Sequence, residues 1–174
     1  MKASRPYKKE GKRLTLIRHA KSDWSSAVRP DFDRPLNPRG KNAAPMMGRR
    51  MAERGIIPER LISSPAVRAR QTSRLLAREL GFPEKDILYQ EEIYAAGLET
   101  LIKLVNSLEA TLEHVALTGH NPGITQLARW LCDNSPDHLP TCAVLTLDLE
   151  AGNWLDVNSG CGHIHCYDYP KKSR

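Results

Sequence analysis

Short apolar segments alternate with segments that carry helix start signals along most of the chain. The clearest apolar segments are residues 13–18, 60–63 and 114–118. Each precedes a polar residue followed by proline, a pair that favours the first turn of a helix: Asn37-Pro38, Ser64-Pro65 and Asn121-Pro122. Strands that alternate with helices form a mainly parallel sheet covered on both faces. We therefore predict an α/β fold, a three-layer sandwich with a mostly parallel central sheet flanked by helices.

The spacing of apolar residues predicts the other elements of this fold. Helical periodicity and the glycines that follow it predict four helices, over residues 38–54, 65–80, 97–112 and 121–132. Residues 86–89 predict a further short strand. Near the carboxyl end, residues 143–149 and 154–157 resemble two strands around Gly152-Asn153, so we predict a hairpin there.

Length and charge distribution predict one domain with basic ends. The 174 residues suit a single core, which we place at residues 13–170, after a basic and mobile tail at residues 1–12. The net charge is +6, but the first 13 residues hold six basic residues and one glutamate, and the last four hold three basic residues. The body between these ends therefore carries a net charge of −2.

This composition disfavours several classes of partner. Basic residues that lie at the ends of the chain, together with only 6% aromatic residues, argue against nucleic-acid binding. No apolar stretch approaches the roughly 20 residues of a membrane span, and no secretory signal is recognisable. We therefore expect a cytoplasmic, monomeric protein that binds neither nucleic acid nor membrane.

Three motifs lie where predicted strands end. Arg18-His19 ends the first strand, a segment with Arg68 follows the second, and Gly119-His120 ends a later one. Because the carboxyl ends of parallel strands meet at one edge of a sheet, we expect these residues to lie together. Two guanidinium groups, two imidazoles and the N–H groups of helix N-termini would bind an anion. The sequence therefore predicts a phosphate site.

These motifs resemble those of the histidine phosphatase superfamily, whose fold is phosphoglycerate-mutase-like. Arg18-His19-Ala20 looks like the family's Arg-His-Gly/Ala motif, and the segment from Ser63 to Thr72 is similar to its Ser-x-x-x-x-Arg-Ala-x-x-Thr element. Four shorter segments resemble SixA-type phosphohistidine phosphatases within this superfamily: residues 18–22, 36–40, 119–123 and 140–144.

The resemblance implies a mechanism without cofactor or metal. His19 would be the nucleophile and form a phosphohistidine intermediate, while Arg18, Arg68 and His120 would hold the phosphoryl group. The attacking nitrogen needs its lone pair, and the neighbouring cations are expected to lower the pKa of His19. Loop residues that would contact the phosphate are Lys21, Ser22 and Asn121.

The identity of a general acid stays open. Many superfamily members use a carboxylate in the segment that here contains Glu91 and Glu92, so either side chain is a candidate. SixA-type enzymes look different from those members, because they work without such an acid. An imidazole leaves more readily than an alkoxide when its other ring nitrogen is protonated. The alternative is that both glutamates are solvated residues at the end of a strand.

A cluster of cysteine and histidine residues allows a second interpretation. In an extended strand Cys161, His163 and His165 would share one face and could supply three zinc ligands. The spacing through Cys166 matches no standard zinc motif, however, and no second ligand pair occurs elsewhere. We therefore predict no metal. We expect all four cysteines to be free thiols: Cys132, Cys142, Cys161 and Cys166.

The leading functional hypothesis is a phosphatase that removes the phosphoryl group from phosphohistidine on a protein partner. The alternatives are a phosphatase of a small phosphorylated metabolite, a mutase and a non-catalytic phosphate-binding module. A chain this short leaves little room for an inserted cap over a small substrate, and a mere binding module has no need of a nucleophile.

Overall fold

A six-stranded sheet forms the centre of the computed structural model, which describes residues 11–173. The strand order is β3-β2-β4-β1-β5-β6, and β1 to β4 are mutually parallel whereas β5 runs antiparallel to both of its neighbours. This confirms the predicted α/β class with a mostly parallel sheet. The strands are β1 Lys12–Arg18, β2 Arg60–Ser63, β3 Leu88–Tyr89, β4 His114–Gly119, β5 Val144–Leu149 and β6 Gly162–Asp168.

Four α-helices cover the two faces of the sheet: α1 Pro38–Glu53, α2 Val67–Leu80, α3 Leu98–Asn106 and α4 Gly123–Leu131. α1 packs on α2, and both bury apolar residues against one face in a core that includes Met47 and Leu76. α3 packs on α4 on the opposite face, where the core includes Leu101, Leu127 and Trp154. The three-layer prediction is therefore correct.

Helix α3 is shorter than the predicted helix over residues 97–112. It ends at Asn106, whose side-chain amide donates hydrogen bonds to the carbonyl oxygens of Trp154 and Val157 at 2.9 and 3.0 Å. The chain that follows contributes Leu108 and Leu112 to the core without helical structure. The helix thus ends at a tertiary contact, although the helical spacing of apolar residues continues beyond it.

The predicted hairpin between residues 143–149 and 154–157 is wrong in its second strand. Residues Trp154–Asp156 form a single-turn 3₁₀ helix, because the Asn153 side chain accepts a hydrogen bond from the Leu155 N–H and Trp154 is completely buried. β5 pairs with β1 on one side, and on its other side it pairs with β6, which follows the left-handed Gly160. A Cβ on Gly162 would lie 2.9 Å from the Leu131 carbonyl oxygen, so glycine is required where β6 begins.

The predicted amino-terminal tail, residues 1–12, lies mostly outside the described residues. Gly11 and Lys12 are described, and Lys12 begins β1 with its buried side chain 2.9 Å from Glu113. At the other end, Lys172 donates a hydrogen bond to the Tyr167 carbonyl oxygen. Within residues 11–173 no helix combines the length and apolar character that a membrane span requires.

A buried carboxylate fixes the carboxyl-terminal segment to α1. Asp168, at the end of β6, is only 3% exposed and pairs with Arg50 at 3.3 Å and with Arg54. Its Oδ1 also accepts the Tyr169 N–H at 2.9 Å. These contacts hold Asp168 and the residue that follows it against the carboxyl-terminal end of α1.

We expect Asp168→Asn to lower the free energy of unfolding by about 3 kcal/mol, because it leaves the buried Arg50 guanidinium without its counter-charge. Urea unfolding monitored by circular dichroism measures this change. The matched control is Asp156→Asn, at an exposed position, which should change the free energy by about 0.5 kcal/mol or less. Equal effects of the two substitutions would contradict the role given to Asp168.

Candidate active site

The predicted motifs converge on one cavity of about 510 Å³ at the carboxyl ends of the parallel strands. Arg18 at the end of β1 lies beside Gly119 at the end of β4, and Ser63 at the end of β2 pairs with the neighbouring Thr118. His19, Ser64 and His120 follow these strand ends directly. The lining residues are Arg18, His19, Lys21, Ser22, Trp24, Asp31, Arg34, Arg68, Tyr94, Ala95, His120, Asn121 and Thr141.

His19 is held in the tautomer that a nucleophile requires. Its Nδ1 lies 2.7 Å from the Ala20 carbonyl oxygen, and because a carbonyl only accepts, Nδ1 must carry the proton. Nε2 therefore keeps its lone pair, and the Arg68 Nε–H approaches it at 3.4 Å. The side chain is buried, at 7% exposure.

The His19 ring is also kept neutral. Burial lowers its pKa to about 3, and the positive charges of Arg68 and Arg18 and the proximity of His120 act in the same direction. The hydrogen bond to Ala20 acts the other way and is outweighed. The predicted lowering is thus present, but burial, rather than the neighbouring cations, is its main cause.

We expect histidine ring nitrogen spectra to show His19 as the neutral Nδ1–H tautomer from pH 8 down to about pH 5. His163, exposed on β6, serves as the internal reference in the same spectra.

The low pKa of His19 also makes stability depend on pH. Because this pKa is lower in the folded protein than in the unfolded chain, the unfolded state binds more protons, and the free energy of unfolding should fall as pH drops from about 6.5 toward 3. His19→Gln should reduce that fall. Protonation of His19 near pH 6.5 would contradict the assignment.

Two backbone contacts fix the segment that carries His19. The Ala20 N–H donates to the Thr72 hydroxyl at 2.9 Å, and that hydroxyl donates to the Arg68 carbonyl oxygen at 2.7 Å. The Cys142 N–H lies 3.1 Å from the carbonyl oxygens of both Arg18 and His19. Cys142 makes this contact with φ at +61°, a strained conformation for a side-chain-bearing residue.

Arg68 faces the nucleophile with its guanidinium group fixed by Asp31. Its Nη1 donates to the Asp31 carbonyl oxygen at 2.7 Å, and its Nη2 lies 3.0 Å from the Asp31 carboxylate. Tyr94 donates its hydroxyl to the same carboxylate at 2.8 Å. Partial burial alone would raise the pKa of Asp31, but the bonds from Tyr94, Arg34 and Arg68 outweigh it and lower the pKa to about 2. Asp31 is therefore an anion at neutral pH.

His120 lies beside His19, with their ring centroids 5.0 Å apart. Its Nε2 is 2.7 Å from the Ser64 hydroxyl, whereas its Nδ1 is buried without a partner among the described residues. Burial, then the positive charges of Arg68, Arg18 and Arg34, lower its pKa to about 4 against the opposing effect of Asp31. A neutral His120 that accepts the Ser64 hydroxyl proton presents an Nδ1–H for a further acceptor.

Arg34 is a cavity residue that the sequence analysis missed. It is 7% exposed, bonds to the Ser22 hydroxyl, and stacks on the Trp24 ring with its guanidinium carbon 3.6 Å from the ring centroid. A single arginine in the polar loop after His19 carries no signal that separates it from a solvated one. Asp31 lies in the same polar loop and was missed for the same reason, whereas Ser64 and Tyr94 lie beside residues that carry a stronger signal. With Arg34, three arginines and Lys21 line a cavity to which Asp31 contributes a carboxylate, paired with Arg34 and Arg68.

The predicted loop residues Lys21, Ser22 and Asn121 all line the cavity, but two of them are engaged in holding it. Ser22 accepts from Arg34. The Asn121 amide donates to the Leu139 carbonyl oxygen at 3.0 Å, and its oxygen accepts from Thr125 at 2.7 Å. Arg18 donates to the same Leu139 oxygen at 2.9 Å.

Glu91 and Glu92 do not line the cavity. They lie on a single-turn 3₁₀ helix, Glu91–Ile93, that buries Ile93 in the core and leaves both carboxylates in solvent. Tyr94, which follows this turn, lines the cavity instead. The structure therefore favours the interpretation of both glutamates as solvated residues.

The cysteine and histidine residues between positions 161 and 166 make separate contacts. Cys161 is buried in the core, His163 lies 2.7 Å from Glu150, and His165 lies 3.1 Å from Asp148. A bulge places His165 outside the regular pairing with β5. No group of three or more potential ligands within residues 11–173 could hold a metal ion. All four cysteines are free.

Comparison with known sequences identifies relatives over most of the chain. The model of the histidine phosphatase superfamily (branch 1) matches residues 14–94. An uncharacterized protein of Mycobacterium tuberculosis is 30% identical over 165 residues, which cover 89% of this chain and 100% of that protein. An uncharacterized chloroplastic protein of Arabidopsis thaliana is 27% identical over 89% of this chain and 74% of its own length.

Comparison with solved structures gives the same assignment. A protein assigned as the phosphohistidine phosphatase SixA of Agrobacterium tumefaciens is 29% identical, with a TM-score of 0.79 over 92% of this chain and 99% of its own. The protein histidine phosphatase SixA in complex with tungstate is 22% identical, with a TM-score of 0.76 over 91% and 97% of the two chains. A mycobacterial glucosyl-3-phosphoglycerate phosphatase, 15% identical over 89% and 97%, has a TM-score of 0.65. The last two likenesses concern the fold alone. The motifs, the fold and the full-length relatives agree: this chain belongs to the histidine phosphatase superfamily.

Proposed function

We propose that this protein is a phosphatase that removes the phosphoryl group from phosphohistidine on a protein partner, with His19 as nucleophile. The observation that carries the proposal is the state of His19. It is a buried, neutral imidazole with its proton fixed on Nδ1 by the Ala20 carbonyl and its Nε2 lone pair directed to a cavity lined by arginines. A binding module has no need of such a group.

In the first step the Nε2 lone pair of His19 forms a bond to phosphorus while the bond from phosphorus to the substrate imidazole breaks. The bonding electrons return to the substrate nitrogen, and the released ring is neutral when its other nitrogen is protonated. No separate acid is needed for such a leaving group, which agrees with the solvated positions of Glu91 and Glu92. Arg18, Arg34 and Arg68 neutralise the phosphoryl oxygens, and His120 Nδ1–H donates to one of them.

In the second step water attacks phosphorus, and the electron pair of the Nε2–phosphorus bond returns to His19. The Nδ1 proton, held by the Ala20 carbonyl throughout, makes the phosphorylated ring a cation and hence a good leaving group. Water supplies the fourth oxygen of the released phosphate, and its proton passes to phosphate or solvent. Asp31 is a positioning residue here, since it orients the Arg68 guanidinium.

The rim of the cavity supports a protein substrate. The Trp24 side chain lines the cavity and is 76% exposed, so it offers an apolar surface to the polypeptide around a phosphorylated side chain. The solved structures that resemble this chain include phosphatases named for phosphohistidine and for glucosyl-3-phosphoglycerate, a small phosphorylated metabolite. A phosphatase of a small metabolite is therefore the second candidate.

The test compares purified full-length protein on a phosphohistidine peptide, p-nitrophenyl phosphate and a panel of phosphorylated metabolites, without added metal. The proposal predicts the highest kcat/KM on the phosphohistidine peptide, by about tenfold or more. A higher kcat/KM on one metabolite, still dependent on His19, would replace the proposed substrate and keep the nucleophile.

A further inference from the structure

A second cavity of about 360 Å³ adjoins the catalytic one, and we call it the lateral groove. Lys21 and Thr141 line both cavities, so the two lie side by side. The groove extends from there between the first turn of α1 and the carboxyl-terminal segment, at Arg39 and Lys171. Its volume lies in the range of cavities that bind small groups of atoms with specificity.

The groove combines three cations with an apolar floor. Lys21, Arg39 and Lys171 are exposed, and within residues 11–173 none of them makes an ion pair or a side-chain hydrogen bond. The floor includes Pro140, Tyr169 and the buried Cys142, whose pKa burial raises to about 12, so it carries no charge at neutral pH. Arg39 lies in the first turn of α1, where the helix dipole adds to the positive potential.

The walls of the groove are fixed by buried contacts. A Cβ on Gly40 would collide with the Lys21 carbonyl oxygen, so the glycine lets α1 pack directly on the Lys21 backbone. On the other side, Asp168 and the Arg50 bond to the Tyr169 carbonyl at 3.2 Å hold the segment that presents Lys171. The positive side chains are thus mounted on a rigid frame.

The loop that contains Cys142 lines the groove and also contacts the backbone of the nucleophile His19. Cys142 forms part of the groove floor, and its N–H bonds to the carbonyl oxygens of Arg18 and His19. A ligand in the groove therefore lies against the loop that positions the catalytic residues.

We propose that the lateral groove binds acidic side chains of the polypeptide that carries the phosphohistidine. This inference rests on the proposed function. The catalytic cavity accommodates the phosphorylated side chain, so the groove lies where the neighbouring residues of the substrate polypeptide would bind. Three unpaired cations call for carboxylates, and the apolar floor suits the aliphatic stems and backbone of a peptide.

The test uses two phosphohistidine peptides that differ only in their flanking residues, acidic in one and amide in the other. Wild type should have about tenfold higher kcat/KM on the acidic peptide, and this preference should shrink at high ionic strength. Arg39→Glu with Lys171→Glu should abolish the preference while kcat/KM on the amide peptide and on p-nitrophenyl phosphate stays within about twofold.

The matched control reverses the same number of charges elsewhere. Lys85→Glu with Lys103→Glu changes two exposed lysines that lie outside both cavities. This control should keep the preference. Loss of the preference in both double variants would assign it to net charge, and its survival in the groove variant would overturn the proposal.

A binding measurement separates this proposal from the proposed function. Titration of the ¹⁵N-labelled protein with the unphosphorylated acidic peptide should shift backbone amide signals in wild type and not in the groove variant; the reporting amides are those of Leu139, Thr141, Cys142, Tyr169 and residue 171. Shifts without hydrolysis of either phosphopeptide would keep the groove and reject the substrate. Hydrolysis of both peptides at equal rates, without shifts, would keep the substrate and reject the groove.

Discussion

His19→Ala should lower kcat by about 10⁴-fold or more on every substrate that the wild-type protein hydrolyses. The reason is that no other group in the cavity can replace it as nucleophile. His120 is the nearest imidazole, but its Nε2 is bonded to Ser64, and its ring centroid lies 5.0 Å from that of His19. Steady-state phosphate release measures the effect.

Two comparisons separate loss of chemistry from loss of structure. His19→Ala should bind inorganic phosphate within about tenfold of wild type, because the cavity arginines remain. His163→Ala, at an exposed position on β6, should retain full activity. If His19→Ala retained wild-type activity, the nucleophile would have to be another residue.

Arg68→Ala should lower kcat by about 10²- to 10³-fold, the usual effect of removing one fixed donor to a transferring group. Arg68 lies on the first turn of α2, contacts His19 Nε2 and is oriented by Asp31, so it meets the phosphoryl group as the new bond forms. Arg68→Lys should recover little activity, because lysine lacks the planar fork that binds two oxygens.

The fold should tolerate Arg68→Ala. Asp31 is half exposed and keeps its bonds to Arg34 and Tyr94, so no buried charge is left unpaired. Arg74→Ala, an exposed arginine on the same helix, is the matched control and should leave kcat unchanged. A rise in KM with unchanged kcat in Arg68→Ala would mean that Arg68 binds substrate and transition state equally.

Topology explains why the central site residues could be predicted. His19 and His120 follow strands, and Arg68 begins the helix after another, so a parallel sheet brings them to one edge whatever the loops do. Lys21 and Asn121, named as loop residues that would contact the phosphate, lie next to those strand ends and line the same cavity. Period-two and helical patterns in buried elements are strong signals, because one whole face must be apolar.

The loop residues were outside the reach of that reasoning. Arg34, Asp31 and Trp24 belong to a segment with little regular structure, where position depends on side-chain contacts such as those of Arg34 with Ser22 and Trp24. Such contacts leave no periodic pattern of apolar residues in the sequence. Tyr94 follows Glu91 and Glu92, and two adjacent carboxylates are a stronger signal for a catalytic residue than a tyrosine in the same segment.

The misplaced hairpin has a different cause. Residues 154–157 have the composition of a strand, but the Asn153 side chain caps a 3₁₀ turn and Trp154 donates to the Leu112 carbonyl at 2.8 Å. A local cap and a tertiary hydrogen bond together outweighed strand propensity. The true partner of β5 lies beyond Gly160 and alternates weakly, since His163, Ile164 and His165 are all exposed.

The most direct test of the account is to trap the phosphorylated intermediate. Wild-type protein is mixed with a saturating phosphohistidine peptide, quenched in alkali within milliseconds and digested for mass spectrometry. We predict one phosphoryl group, labile in acid and stable in alkali, on the peptide that contains His19, and none in His19→Ala. Turnover with the His19 peptide unmodified at every time point, or with the phosphoryl group on another residue, would contradict the assignment of His19 as nucleophile.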